Sequence, residues 1–592
     1  STPSGTLTLN VSGANGTDSV AIPGDLHIHH TTVTENAAHQ IKQTATVYLY
    51  GGATLNLVDA SGQSETLKAL VFHNAGGNTT SLARVTRSGQ QVSSSLNLTG
   101  AQAIEAINDN PYSAPTIHQN VGVVNFTGTG QQEIYVGGTP PAGYSSPVGI
   151  GLIFNAGIGS VPTGGIKKTG PGLLHLGGNV GSTFGNPTTP TDLFFIEEGI
   201  VRVDTTGGTA TDARDIRYKL GGANVNTVVG SGAGLVTRGA STIWGSLRLE
   251  DGSFLAASDG NSIFESASGE SAQIAVPSGK ATIYVHDYFS YPVSTARTIT
   301  IRSKLTGGGT IELVGPQTTF AIGVLRLENE ANDFSGTFVL HPNTRIWAQA
   351  TDNSGNVLGT ATLAFRGGAL LIRDDGADVT YGNNINLYGG GGGYIEPGSV
   401  TGDTHGQNRL IRFNQLWIAG EPDAYLQTWN TSVISPTRHR IAFNQVAGPG
   451  TLIKVGHQPV FIDGYDASFS GNILIPGPVG INTPPAGGLY LNADTNTINN
   501  LTVGGIFSPV AGKMLTVNGV LEVSDNAGQV VNGTGGVTTG SVTGAMSVPN
   551  TATLSVNTLR NNGIIGATGG NATITVTGQI QGSGLYQTYG QP

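Results

Sequence analysis

One unit of sequence recurs along this chain and constrains its fold more than any other feature: short strands cornered by glycine and separated by polar loops. It is clearest from Gly164 to Asp204. Lys167 and Lys168 lead into Gly170-Pro171-Gly172, where glycine accepts positive φ and proline pre-sets its own. Leu173-Leu174-His175-Leu176 reads as a strand, and a polar loop of Gly, Asn, Ser and Thr follows. Leu193-Phe194-Phe195-Ile196, a Glu197-Glu198-Gly199 turn and Ile200-Val201-Arg202-Val203 complete the unit, with no helical period anywhere in it. Lys304 to Leu313 echoes the opening, and Asn332 to Val339 comes some twenty residues later. Gly448 to Lys454 and Ser468 to Leu474 echo it again. A chain built this way grows by adding coils, so length alone does not divide it into globular domains.

These phrases, with Val357-Leu358-Gly359-Thr360 to Leu370, Tyr381-Gly382-Asn383-Asn384 and the glycine run Gly389 to Gly393, resemble the strand repeat of bacterial autotransporter passenger domains. The resemblance covers about residues 160 to 480. It implies a right-handed parallel β-helix carried on, or released from, a cell surface. A full autotransporter ends in a translocating β-barrel, which this chain, stopping at Gln591-Pro592, does not contain. Either the barrel was removed or export follows another route.

Composition agrees with an ordered all-β chain. Glycine makes up 91 of 592 residues and charged residues only 11%, with β-branched and aromatic residues of the kind a disordered chain is poor in. The best short-helix candidate is Ala101 to Asn108. A net charge of −10 without a basic block argues against nucleic acid as a partner. No apolar run is long enough for a membrane helix. The absence of cysteine excludes disulfides and thiolate metal sites, and suits an exported protein held by backbone ladders. Ser1 is not preceded by an export signal, which is therefore expected to have been removed.

The expected architecture is a right-handed parallel β-helix (β-solenoid), with β-sandwich-like or irregular terminal regions allowed for. The regions are residues 1–160 (strand-rich), 161–490 (the passenger-like solenoid) and 491–592 (strand-rich). About twenty to twenty-five residues per coil would give on the order of twenty-five coils, a rod of about 120 Å. Like residues then stack along the axis, so Asn and Thr side chains can form hydrogen-bonded ladders. A row of antiparallel sandwiches is the alternative, for which Asn15-Gly16 is the one hairpin signal. Neither end carries an evident cap. Leu7, Leu9 and Val11 near the start, and Ile574, Val576 and Ile580 near the end, read as strands able to pair with another molecule.

A search for chemistry yields little. Asp374-Asp375 with His405-Gly406 and Arg409 is similar to part of a pectin-hydrolase site, but its other elements are missing and a turn explains the residues equally. Glu197-Glu198 and Glu328/Glu330 read as solvated turn charges rather than an acid–base pair. His27, His29 and His30 place two imidazoles on one strand face, a conceivable metal pair, although polar face residues are the stronger reading. Asp352 to Asn356 begins like a calcium loop without its closing Glu, so no cofactor is expected beyond a loosely held calcium ion. Gly389 to Gly393 and Ser278 to Thr282 are turns, not phosphate loops. Aromatic groups at Tyr284, Tyr288, Phe289 and Tyr291, and at Trp417, Tyr425 and Trp429, suit either glycan and interface contacts or stacking in the core.

The expected function is accordingly structural, without catalysis. Copies of an extracellular or cell-surface chain would join through terminal strands into a filament, sheath or layer. An adhesin gripping a surface glycan is the second reading, and a polysaccharide-cleaving enzyme the third.

Overall fold

The structure is a computed structural model. It describes residues 5–58, 62–75, 82–89, 94–110, 112–138, 150–205, 216–289, 295–318, 321–350, 356–374, 378–389, 392–397, 409–421, 424–428, 439–456, 459–475, 489–504, 506–507, 510, 512–523, 525–526, 530–531, 537–538, 542–543, 545–549, 552–568 and 572–588. The chain divides into two compact units, residues 1–325 and 326–592.

In the first unit each coil of chain lays down two or three short strands, and each strand pairs in parallel with its counterpart one coil on. One sheet runs through Thr32–Glu35, Thr54–Leu57, Arg84–Arg87, Thr116–Ile117, Ile150–Phe154 and Leu173–Leu176. It continues through Ile200–Asp204, Gly234–Arg238, Phe254–Ser258, Lys280–Asp287 and Thr310–Val314. A second sheet climbs from Leu26–Ile28 through Thr46–Tyr50, Ala69–Asn74 and Gln102–Asn108 in the same sense. The second unit repeats the scheme, for example Thr344–Ala350, Ala369–Asp374, Gly393–Pro397, Tyr425–Thr428 and Thr451–Gly456. No α-helix occurs among the described residues, and none is long and apolar enough to cross a membrane. The parallel β-solenoid expected from the glycine-cornered repeats is therefore the fold. Antiparallel pairing among the described strands is confined to Asp525–Asn526 with Val542–Thr543 and Val530–Val531 with Val537–Thr538.

Register explains the core. Leu174, Val201, Leu235, Leu255, Ile283 and Leu313 occupy one position on successive coils, and all are fully buried. Each such side chain contributes roughly 1.5–3 kcal/mol of hydrophobic stabilisation before entropy is subtracted, so a coil needs only a few. In the second unit the rings of Tyr381, Phe413 and Phe443 stack inside in the same way, 5.6 and 5.8 Å apart. Polar columns form too. Asn125 donates to Asn97 (2.8 Å), which donates to Thr66 (3.3 Å), while Ser64 and Ser95 share a 2.8 Å bond. These are the expected ladders.

Two expectations are corrected, and the one hairpin signal for the alternative fold is resolved. Ala101 to Asn108 is not helical. Gln102–Asn108 is a strand between Ala69–Asn74 and Gln132–Val136, where tertiary pairing overrides the helix propensity of its alanines and glutamate. Coils are less even than expected, from 19 residues (Ile441 to Val460) to 39 (Met514 to Thr553), because the segments between strands vary in length. Asn15-Gly16 makes no hairpin. The Asn15 side chain accepts from the amides of Thr17, Asp18 and Ser19, closing a local turn. The coil series also continues across positions 160 and 490, since Ile150–Phe154 pairs with Leu173–Leu176 and Val460–Ile462 with Leu489–Leu491.

Candidate functional site

The outermost coils differ from the rest in what they leave uncovered. Near the start, Thr6–Leu9 pairs on one side with Thr32–Glu35, and no described strand pairs with its other edge. Leu9 is buried, Leu7 is 50% exposed, and Val11 lies just past the strand with its N–H and C=O bonded to the side chain of Gln40. Near the end, Thr573–Val576 and Ile580–Gln581 stack on Thr553–Asn561, and Leu585–Thr588 stacks on Ile564–Thr568. Ile574, Val576 and Ile580 continue the columns of Leu554, Val556 and Leu559, which are buried. Ile574 and Val576 are only half-buried, Ile580 is 63% exposed, and Leu585 and Tyr586 are 49% and 51% exposed. Core-type side chains thus stand at core positions without a described coil above them.

The first aromatic group is brought together on the outer face of the main sheet. Tyr284 lies 5.3 Å from Tyr288, and both meet Phe254, at 5.7 and 5.0 Å. Phe289 packs edge-on to Tyr288 (5.2 Å) and joins a second apolar cluster with Ala114, Ile150, Leu173, Val236 and Ala256. Phe254 folds over Gly234, where a Cβ would stand 1.9 Å from its ring. Burial raises the Tyr284 phenol and pushes that of Tyr288 up to about 12. Beneath them Arg202 donates to His175 (3.2 Å), and burial with that guanidinium brings the imidazole down to about 3. These rings cover a satellite core. Tyr291 lies outside the described residues.

The second group is dispersed. Trp417 belongs to Arg409–Ile418 and packs on Tyr388 (5.6 Å), over which Arg366 sits at 4.5 Å. Tyr425 belongs to a strand of a different sheet, and Trp429 lies outside the described residues. Trp417 and Tyr388 are both half-buried.

Three of the acid–base candidates are engaged by an amide or a cation. Glu198 accepts from the amide of Gly170 (3.1 Å), and Glu197 lies 3.8 Å from Lys167. Glu328 pairs with Arg326. Asp374 ends the strand Ala369–Asp374 and Arg409 begins Arg409–Ile418, while Asp375, His405 and Gly406 lie outside the described residues, as do Asp352 to Gly355. Among the described residues, no three His, Asp or Glu side chains are grouped to hold a metal ion. His27 and His29 stack on Tyr48 and Tyr50, at 4.3 and 3.9 Å.

Sequence reasoning missed the charges inside the solenoid. Lys168 is fully buried, donating to the carbonyls of Gly170 and Glu198, and Lys219 likewise to those of Gly177 (2.6 Å) and Val180. Burial lowers both ammonium groups to about 7. Glu35, Glu65 and Arg87 are also interior. His39 donates its amide to Glu65 (2.7 Å), and Arg87 donates to the carbonyls of Val58 and Ser95. Alternation in Thr32–Glu35 and Ser64–Leu67 puts both glutamates on the buried face, a signal available from period two alone.

Comparison with family models, with curated proteins and with solved structures finds no match for this chain. The fold stands on the parallel pairing itself.

Proposed function

We propose that this chain is a structural protein of the cell surface or its surroundings, whose copies join end to end through their outermost coils. The observation that carries the reading is the open apolar column of the last described coil. Ile574, Val576, Ile580 and Tyr586 occupy positions that in the coil beneath belong to the core. The first coil offers a strand edge at Thr6–Leu9 without a described partner and with Leu7 exposed. Parallel strand addition joins such edges through main-chain hydrogen bonds, and a head-to-tail contact of unlike faces that does not close propagates as a filament. The low charge of the chain lessens repulsion between copies. The glycine-cornered repeats, similar to those of autotransporter passengers, support an extracellular setting. No catalytic role is assigned.

Negative-stain microscopy and sedimentation of the purified chain test this. Fibres or higher oligomers are expected, and Ile580→Lys with Leu585→Lys should disperse them. Monomers at every concentration would refute the proposal.

An adhesin is the second reading, favoured by the half-exposed Tyr388–Trp417 pair beneath Arg366. Trp417→Ala should then weaken binding to a glycan array or to cells, and unchanged binding would remove that anchor.

A further inference from the structure

We propose that the first coils carry a surface site for a tetragonal transition-metal ion, copper(II) foremost, with His27 and His29 as its ligands. The site follows from how two coils stack. His27 stands in Leu26–Ile28 and His29 two residues on, so both project from the outer face and both are exposed. The next coil sets a tyrosine against each ring. His27 lies on Tyr48 with centroids 4.3 Å apart and planes 3° apart, and His29 lies on Tyr50 at 3.9 Å and 9°. His73, one coil further, closes the column on the far side of Tyr50 at 5.6 Å.

Three consequences favour a metal. First, the His27 and His29 planes lie 21° and 9° from that of Tyr50, so both imidazoles run nearly parallel to that ring on the one outer face. In-plane lone pairs of two such rings suit neighbouring equatorial positions of copper(II) or nickel(II), with water completing the set. Second, the stacking limits the rotamers of both rings, so little side-chain entropy remains to be lost on binding. Third, His27 Nδ1 is 3.2 Å from the Tyr50 hydroxyl. When Nδ1 donates its proton there, Nε2 is left as a lone pair, and a partner of this kind usually orients a metal-bound imidazole. Two protein ligands make an open, exchangeable site, unlike the four-ligand shell of structural zinc.

The test is titration of the tag-free full chain with copper(II), followed by electron paramagnetic resonance and by quenching of tyrosine fluorescence. One equivalent with hyperfine coupling to two nitrogens is expected. H27N and H29N should each weaken binding by about tenfold or more, and Y50F by about tenfold through loss of the orienting hydroxyl. H73N should bind as the parent does, and circular dichroism should show all four variants folded. Zinc(II) should bind more weakly than copper(II). No saturable uptake, tighter zinc than copper binding, or an unchanged signal in the H27N/H29N double variant would each overturn the proposal.

Discussion

Lys168 Nζ lies 2.7 Å from the carbonyl oxygen of Glu198, thirty residues further along the chain and one coil away. The same ammonium donates to Gly170, so a single buried cation ties two successive corners together. Lys168→Met keeps the stem but strands both carbonyls. It should cost about 1–3 kcal/mol locally, seen as faster amide exchange in Ile166–Thr169 and Ile200–Asp204.

Gly199 completes that corner. Its φ is +70°, and an added Cβ would stand 2.5 Å from Lys168 Nζ and 2.6 Å from the Gly170 oxygen. Gly199→Ala combines left-handed strain with a backbone clash and should destabilise the coil by about 1–3 kcal/mol or more. A change confined to the few tenths seen at an open glycine would contradict this geometry.

The interior charges set opposite pH dependences in different coils. Burial and the Glu65 charge raise Glu35, and burial raises Glu65 to about 7 from 4.5. Folding therefore favours their protonated forms, and the stability they allow is lost as pH rises from about 4.5 through about 7. Lys168 and Lys219 are lowered from 10.5 to about 7, so the folded chain binds fewer protons there. Their coils weaken as pH falls from 10.5 towards 7. Hydrogen exchange, corrected for its intrinsic rate, should show Thr32–Glu35 and Ser64–Leu67 opening more readily at about pH 8 than at about pH 5. E35Q/E65Q should abolish that trend.

Phe289 seals the satellite cluster over Val236 and Ala256. Phe289→Ala should cost about 3–5 kcal/mol of local stability. Increased binding of a hydrophobic dye, with the second unit unaffected in hydrogen exchange, is the expected readout.

The coil itself was legible because glycine at a corner and alternation in a strand are local signals. Gly170 and Gly199 do adopt positive φ, and Leu173–Leu176 and Ile200–Asp204 are strands where the pattern put them. What rides on register was not legible. His27 meets Tyr48 only because one coil spans 21 positions there, whereas other coils take up to 39. With uneven corner loops, no period in the sequence says which side chains will share a column. Ala101 to Asn108 defeats a local reading for the same reason: its strand character comes from the neighbours above and below. Trp417 and Tyr425, near in sequence, part because a corner stands between them.

Whether the first and last coils of different copies meet can be decided chemically, since the chain has no cysteine of its own. Leu7→Cys and Ile580→Cys in one chain, oxidised under mild conditions and mapped by mass spectrometry, should yield a ladder of multimers in which position 7 of one copy is bridged to position 580 of the next. Monomers only, or bridges joining each position solely to its own counterpart in another copy, would contradict head-to-tail assembly.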